Sequence, residues 1–335
     1  MNFFTRIGRP MILALCMLAP ALVVTKAVAD ALDTMSGDEQ EVQQVDAEEY
    51  TALMDMFGVS QIVTYQKIGE DAVIGGDTII GSHAEIQLLS ARNLIGILLK
   101  SDDTAVNDFD VPKEALQEAL GELGPEGAIP PSVNIWPSRR IPYRIDSSIT
   151  DPELISNIRA ATEIWNSYKI VTFVPAVATD RAVLTILDGP GDGWHCQATL
   201  GYKSKVGGWI KLNPPCTLGA VVHELAHSLG LMHEHQRPDR DRYISVQSFV
   251  KDNPNYAIGP VSGWVTDYDL CSIVHYSERQ TPQTMMSWFT LTDEGKKQLA
   301  NCSAALPKEC RKVGQRCQPS KADLDLLSRA YATSE

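Results

Sequence analysis

The chain has 335 residues, a net charge of −13, and ordinary shares of hydrophobic (44%) and charged (21%) residues. That length suffices for one or two domains with real cores, and the acidity argues against broad nucleic-acid binding, which needs a basic surface. Part of the negative charge is concentrated in SGDEQEVQQVDAEEY, residues 36–50, which reads as a solvated segment with little core.

At the N-terminus, Arg6 and Arg9 precede an apolar run from Met11 to Val24, and Ala27-Val28-Ala29 offers small residues at both positions read by a signal peptidase. The run is too short for the ~20 apolar residues of a membrane span. Cleavage after Ala29 and an extracytoplasmic protein, secreted or periplasmic, are expected. Six cysteines remain after that cut: Cys196, Cys216, Cys271, Cys302, Cys310 and Cys317. An even number in an exported chain reads as disulfides, and spacing leaves their pairing open.

Three regions are expected: an export signal over 1–29, a first segment over 30–124, and one domain-sized unit over 125–335. The Pro/Gly-rich linker GPEGAIPPSVN, 124–134, joins the last two. In the first segment, VIGGDTIIG (73–81) carries a Gly-Gly-Asp turn signal between apolar runs. In the larger unit, RIPYRI (140–145) alternates as a strand does. DPELISNIRAATEIWNSY (151–168) sets Leu154, Ile158, Ala161 and Trp165 on one helical face, with Asp151 and Pro152 suited to its first turn. IVTFVP (170–175) and AVLTIL (182–187) read as buried strands, and DGPGDGWHCQ (188–197) as a glycine-rich loop. KVGGWIKLN (205–213) reads as another strand, TLGAVVHELAHSLG (217–230) as a helix ended by Gly230, and KADLDLLSRAYA (321–332) as a helix capped by Ser320. The order predicts an α+β fold.

Four of the seven histidines fall between 223 and 235. On a helix, positions i and i+4 share a face, so His223 and His227 can aim two imidazoles at one point. A tetrahedral zinc needs a further ligand from another direction. Gly230 can end the helix in a left-handed conformation, and the returning chain brings His233 to the same metal. Glu224 projects about 100° away from His223 around the helix. It suits a general base for water activated by the metal. Three ligands and an open position mark a catalytic rather than a structural zinc. The full HExxHxxGxxH pattern has a chance occurrence on the order of 10⁻⁵.

That pattern resembles the metzincin peptidases, and HEHQRPDRDRYI (233–244) is similar to the astacin family in particular, through Glu234, Arg237, Asp239, Arg240, Asp241 and Tyr243. WPSRRIPYRI (136–145), TFVP (172–175) and SIVHY (272–276) extend the resemblance over about 135–335. It implies a two-lobed catalytic domain with a twisted mixed sheet, a zinc-site helix and a loop-rich lower lobe holding the turn at Val274 and the last helix. It also implies one zinc on His223, His227 and His233, with Glu224 as base and then proton donor. Tyr276 would bind the metal at rest and swing to stabilise the tetrahedral intermediate. Val274 stands where the family has a methionine. A bridge Cys196–Cys216 matches the family; its other bridge, at about Ile170 and Thr333, is absent; and Cys271, Cys302, Cys310 and Cys317 are extra.

The family's prosegment motif is matched by Gly76 and Asp77, with Ile74 in place of an aromatic. Asp77 would then be a zinc ligand of the latent form only. The family further implies that a new N-terminus folds toward Glu234 after a cut in the linker. The resulting expectation is a secreted zymogen of a zinc endopeptidase, monomeric, with protein or peptide substrates and its own prosegment as inhibitor. KVGGWIKLN would be the edge strand that receives substrate. The alternative is a zinc-binding metzincin-like adhesion or binding module without proteolytic activity. His195 and His235 are expected as exposed loop histidines, and His275 as a packed or hydrogen-bonded residue of its turn. The arginines of 237–242 either favour acidic substrate side chains or pair with Asp239 and Asp241.

Overall fold

A computed structural model describes residues 48–56, 59–100, 134–189, 196–203, 206–214, 216–251, 253–259, 266–278, 287–304 and 306–332. All of them belong to one unit, 44–335. The expected export signal, His195 and all of the linker but Asn134 lie outside the described residues.

The framework is a nine-stranded mixed sheet. The first segment supplies β1 (Glu49–Met56), β2 (Val59–Ile68), β3 (Asp71–Ile74) and β4 (Thr78–Ser82), followed by helix α1 (His83–Lys100). The larger unit supplies β5 (Arg140–Ile145), β6 (Thr172–Pro175), β7 (Val183–Asp188), β8 (Cys196–Thr199) and β9 (Gly207–Leu212). Their order across the sheet is β1-β2-β3-β4-β8-β9-β7-β5-β6. The seam between the two parts is the parallel pair β4 and β8, Thr78 opposite Ala198 and Ile79 opposite Thr199.

One expectation is corrected here. KVGGWIKLN is not an edge: β9 lies between β7 and β8. On the side facing the first segment, the outermost strand of the larger unit is β8; it is antiparallel to β9, and β4 occupies its other side. Alternating burial identifies a half-buried strand but says nothing of its neighbours. The loop expected over 188–197 overlaps β8 by two residues, Cys196 and Gln197.

Helix α2 (Pro152–Ser167) starts because the Asp151 carboxylate accepts from the amides of Glu153 (2.7 Å) and Leu154 (3.0 Å). It buries Leu154, Ile158, Ala161 and Trp165, the face expected from their spacing. Trp165 Nε1 donates to Val222 O at 3.1 Å and so joins α2 to α3 (Leu218–Ser228), which Thr217 caps. Both helices pack with Ile141, Leu184, Ile186, Ile210 and Leu212 of the sheet. Val274, Leu327, Ala330 and Tyr331 join the same core, so the C-terminal helix and the turn near Val274 are anchored directly to it.

The remaining elements are the small sheet of β10 (Ile244–Val246) and β11 (Phe289–Leu291), helix α4 (Asp293–Ser303), and the C-terminal helix α5 (Lys321–Ala330) with a Ser320–Asp323 capping box. Ile244, Tyr256, Tyr268, Leu270 and Phe289 form a second core around the small sheet. The cysteines pair as Cys196–Cys216, Cys271–Cys302 and Cys310–Cys317. Among the described residues no helix is long and apolar enough to cross a membrane.

Candidate active site

Helix α3 carries His223 and His227 one turn apart, both buried. Gly230 follows with φ +103°, and the chain reverses to bring His233 back against them. His227 Nε2 lies 3.0 Å from His223 Nε2 and 3.3 Å from His233 Nε2. The far nitrogens are committed. His223 Nδ1 donates to Ile273 O at 2.7 Å, and His227 Nδ1 donates to Leu231 O at 2.6 Å. His233 Nδ1 lies 3.3 Å from Gln236 Oε1. A carbonyl oxygen can only accept, so His223 and His227 carry their proton on Nδ1 and turn Nε2 lone pairs inward. Burial lowers the His223 pKa to about 4 and that of His227 well below its usual value, so both rings are neutral at pH 7.

Lone pairs that face each other at 3.0 Å repel unless a cation sits among them. The turn between β3 and β4 adds a fourth atom of a kind that could bind a cation. Asp77 Oδ1 is 3.1 Å from His233 Nε2 and 3.7 Å from His227 Nε2, and Oδ2 is 3.4 Å from His223 Nε2. Ligands 2.0–2.1 Å from a tetrahedral zinc stand roughly 3.3 Å from one another. The four residues therefore fit a zinc ion in donor type and spacing. Burial alone would raise the Asp77 pKa. The three imidazoles outweigh it and hold the carboxylate well below its ordinary range.

Glu224 is 2% exposed, and its Oε2 has no hydrogen-bond partner. Burial first, and the Asp77 charge second, push its pKa well above the ordinary value. It shares a pocket with Gly76, Asp77, Cys196, Ala220, His223, Tyr276 and Arg316. The pocket holds about 220 Å³, less than the roughly 300–1,000 Å³ of a ligand site, because the turn at Asp77 fills part of the cleft. Tyr276 donates its phenol proton to Gly75 O in that turn. Burial keeps the phenol neutral.

Two residues of this region were not anticipated from sequence. Arg316 is half-buried, lines the pocket, and donates from Nη1 to Ile273 O (2.9 Å) and His275 O (3.0 Å). Ile273 O thus serves both Arg316 and His223. His235 is the second, and its expected exposure is corrected: the side chain is 0% exposed. A lone histidine in a loop carries no periodic signal, and Asn255, Tyr256 and Tyr276, distant in sequence, lie against it. His275 packs in its turn as expected, with Tyr268 OH at 2.7 Å and Tyr276 O at 2.7 Å. Arg237 pairs with Asp239 and Glu234, and Arg240 with Asp241, so the acidic neighbours already occupy these arginines. Glu234 also accepts from Asp269 N at 2.8 Å, and burial raises its pKa to about 8.

A mixed sheet over a helix carrying two histidines, a glycine turn and a returning third histidine defines the metzincin class of zinc peptidase folds. Within it, the peptidase family described as Astacin matches residues 129–332. The chain belongs to the astacin family. It is 32% identical over 159 residues to nematocyst expressed protein 6 of Nematostella vectensis, covering 44% of this chain and 52% of that protein. It is 33% identical over 174 residues to zinc metalloproteinase nas-3 of Caenorhabditis elegans, covering 48% of this chain and 59% of that one. The chain thus spans little more than half the length of these two relatives. Among solved structures, high choriolytic enzyme 1, a hatching enzyme zinc-protease of Oryzias latipes, aligns with 22% identity and a TM-score of 0.47, covering 60% of this chain and 94% of that one.

Proposed function

We propose that this chain is the latent form of a zinc-dependent endopeptidase, in which the first segment fills the cleft and Asp77 takes the position that water needs. The observation that carries the reading is the convergence of His223, His227, His233 and Asp77 beside a buried glutamate with an unpartnered oxygen. His223, His227 and His233 would hold the zinc. Bound there, zinc supplies Lewis acidity and makes water acidic at neutral pH.

The protein's own groups would do the rest. Glu224, buried and raised in pKa, takes a proton from the attacking water and returns it to the leaving amine. Tyr276, freed from Gly75, donates its phenol hydrogen bond to the oxyanion. Substrate would add as a strand to β8, in the place β4 occupies, once the first segment leaves. The Ala198 and Leu200 amides that now donate to Asp77 O (2.9 Å) and Ile79 O (2.8 Å) would then bind its backbone. Protein or peptide substrates follow from this geometry. Export as a zymogen, activation by a cut in 124–134, a new N-terminus turned toward Glu234, and a monomeric enzyme complete the proposal.

The test is casein cleavage by protein cut in the linker. It should be abolished by a chelator and by Glu224→Ala, while Glu224→Ala keeps its zinc. Equal cleavage by Glu224→Ala and wild type would sink the assignment. No cleavage by linker-cut wild type with full zinc would favour a binding module.

A further inference from the structure

The tyrosine of this site is asked to move, and its surroundings decide how. Tyr276 is bonded to the first segment through its phenol, which donates to Gly75 O. Its ring rests on something else. The His235 imidazole lies against it with centroids 4.0 Å apart and planes 21° from parallel. His233 meets the same ring edge-on at 4.6 Å, and Tyr256 lies at 6.0 Å. His235 is therefore the flat wall beside Tyr276.

That wall is firmly held. His235 sits in the short 3-10 turn Glu234–Gln236, directly after a metal ligand. Its Nε2 lies 2.9 Å from Asn255 O, an acceptor, so the ring proton is on Nε2 and the plane is fixed by that bond. Arg240 Nη1 donates to both His235 O and Tyr256 O, tying the backbone of the turn to the residue after Asn255. Tyr256 packs 5.3 Å from the imidazole. Burial disfavours a charge on the imidazole. The other ring nitrogen, Nδ1, is buried without a partner. A position serving only to fill the core would not require a ring whose second polar atom goes unsatisfied. A flat, rigid face beside a mobile aromatic ring gives such a choice a purpose.

We propose that His235 is a positioning residue for Tyr276: its face fixes the plane in which the tyrosine ring turns between the latent contact and the reacting carbonyl. The inference rests on the proposed role of Tyr276. Stacking against a held face limits the ring to rotations that keep the contact, so the phenol arrives aligned. Without the face the phenol samples more orientations, and a smaller share of bound substrate meets the donor. The loss falls on turnover, because His235 is enclosed behind the tyrosine, away from the pocket.

Two substitutions separate the face from the hydrogen bond. His235→Asn keeps a donor for Asn255 O and removes the ring. His235→Phe keeps the ring and removes the donor. Each is made in the full-length chain, which is then cut in the linker. Turnover of a fluorogenic peptide, zinc content and thermal unfolding are measured, all with and without Tyr276→Phe. His235→Asn should keep its zinc and its KM and lose about 3- to 10-fold in kcat, the range expected for one aromatic contact. His235→Phe should stay within about twofold of wild-type kcat even if its midpoint falls. In the Tyr276→Phe background His235→Asn should change nothing further, because the residue acts through that phenol. In uncut protein, a readout independent of turnover, His235→Asn should loosen Tyr276 from Gly75 and speed the nicking of the first segment by added protease.

An unchanged kcat in His235→Asn, the same fold-loss in both backgrounds, unchanged nicking, or a His235→Phe that fares worse than His235→Asn overturns the inference. If Tyr276→Phe alone leaves the rate intact, the reading of Tyr276 falls and this inference falls with it. If Tyr276→Phe is slow and His235→Asn is not, the inference falls alone.

Discussion

Gly75→Ala adds one methyl group to the turn that carries Asp77 and leaves the larger unit untouched. Gly75 has φ +62°, and a Cβ there would meet His233 Nδ1 at 2.5 Å and Gln236 Oε1 at 2.6 Å. Neither neighbour has room to give: both are buried, and they lie 3.3 Å from each other. The left-handed backbone costs alanine about 1–2 kcal/mol. Displacing the turn also breaks the bond from Tyr276 to Gly75 O, another 0.5–1.5 kcal/mol or so. The sum, roughly 1.5–3.5 kcal/mol, raises the undocked share of the first segment about 10- to 300-fold at 1.4 kcal/mol per decade. Gly69→Ala is the control, since Gly69 has φ +59° and nothing within 4 Å of its Cβ position. It carries the backbone strain without the collision. The assay is peptide turnover by uncut protein, with mass spectrometry to confirm that no processing has occurred, alongside thermal unfolding. Gly75→Ala should show turnover that Gly69→Ala lacks, and the lower midpoint of the two. If the two variants are equally silent and equally stable, the turn does not dock against His233 as described.

His233→Ala should lose most of the zinc from purified protein, and full occupancy by elemental analysis would refute the ligand geometry. Tyr276→Phe should keep zinc and fold but lose roughly 10²–10³ in kcat as an oxyanion donor; an intact rate would make it structural. Lys203 is buried under Ile80 O, and burial lowers its pKa to about 8 from 10.5. Between those values the unfolded chain holds more protons than the folded one, so stability rises with pH there, by up to about 3 kcal/mol. Uncut wild type should gain midpoint between pH 8 and 10 relative to Lys203→Gln, and parallel profiles would refute it.

The metal centre is legible in the sequence where local geometry dictates it. A helical i, i+4 pair, a glycine free to take φ +103° and a return of three residues specify where three imidazoles meet. The caps at Asp151 and Ser320 are legible for the same reason, because a side chain that satisfies an amide two or three residues ahead needs no tertiary partner. What stays hidden depends on contacts between distant segments. Nothing near His223 in the chain announces that Ile273 O will hold its Nδ1, nor that Arg316 will share that carbonyl. The pairs Cys271–Cys302 and Cys310–Cys317 meet around a small separate cluster with Leu306, which composition does not encode. Strand order fails likewise: β8 has four residues, too few to alternate visibly, and it lies between the longer β9 and a strand from the first segment. The Gly-Gly-Asp stretch supports two readings from sequence, a plain hairpin turn and a metal-directed carboxylate. Geometrically they coincide, since the hairpin turn is what carries Asp77 to the histidines.

That coincidence gives Asp77→Ala a graded outcome. The first segment engages the cleft in two physically separate ways. Asp77 faces the three Nε2 atoms, and the backbone of β4 occupies the amides of β8 through Asp77 O and Ile79 O. The substitution removes the carboxylate and leaves the backbone bonds, because the mainchain oxygen of residue 77 survives it. The first-segment core of Ala52, Met54, Val63, Ile74 and Ile80 is also untouched, so the segment should remain folded. Water could then reach the metal position, yet substrate would still compete with a tethered strand for β8. On the proposed reading, uncut Asp77→Ala should be active, but well below the linker-cut enzyme, and its first segment should be nicked faster than in wild type. Combining Asp77→Ala with Gly75→Ala should raise activity beyond either alone, since one acts on the carboxylate and the other on the docking of the strand. Peptide turnover by the three uncut variants, with mass monitored throughout, decides the matter. If Asp77→Ala is as silent as wild type while Gly75→Ala is active, occlusion of β8 alone keeps the chain latent, and the carboxylate has no part in it.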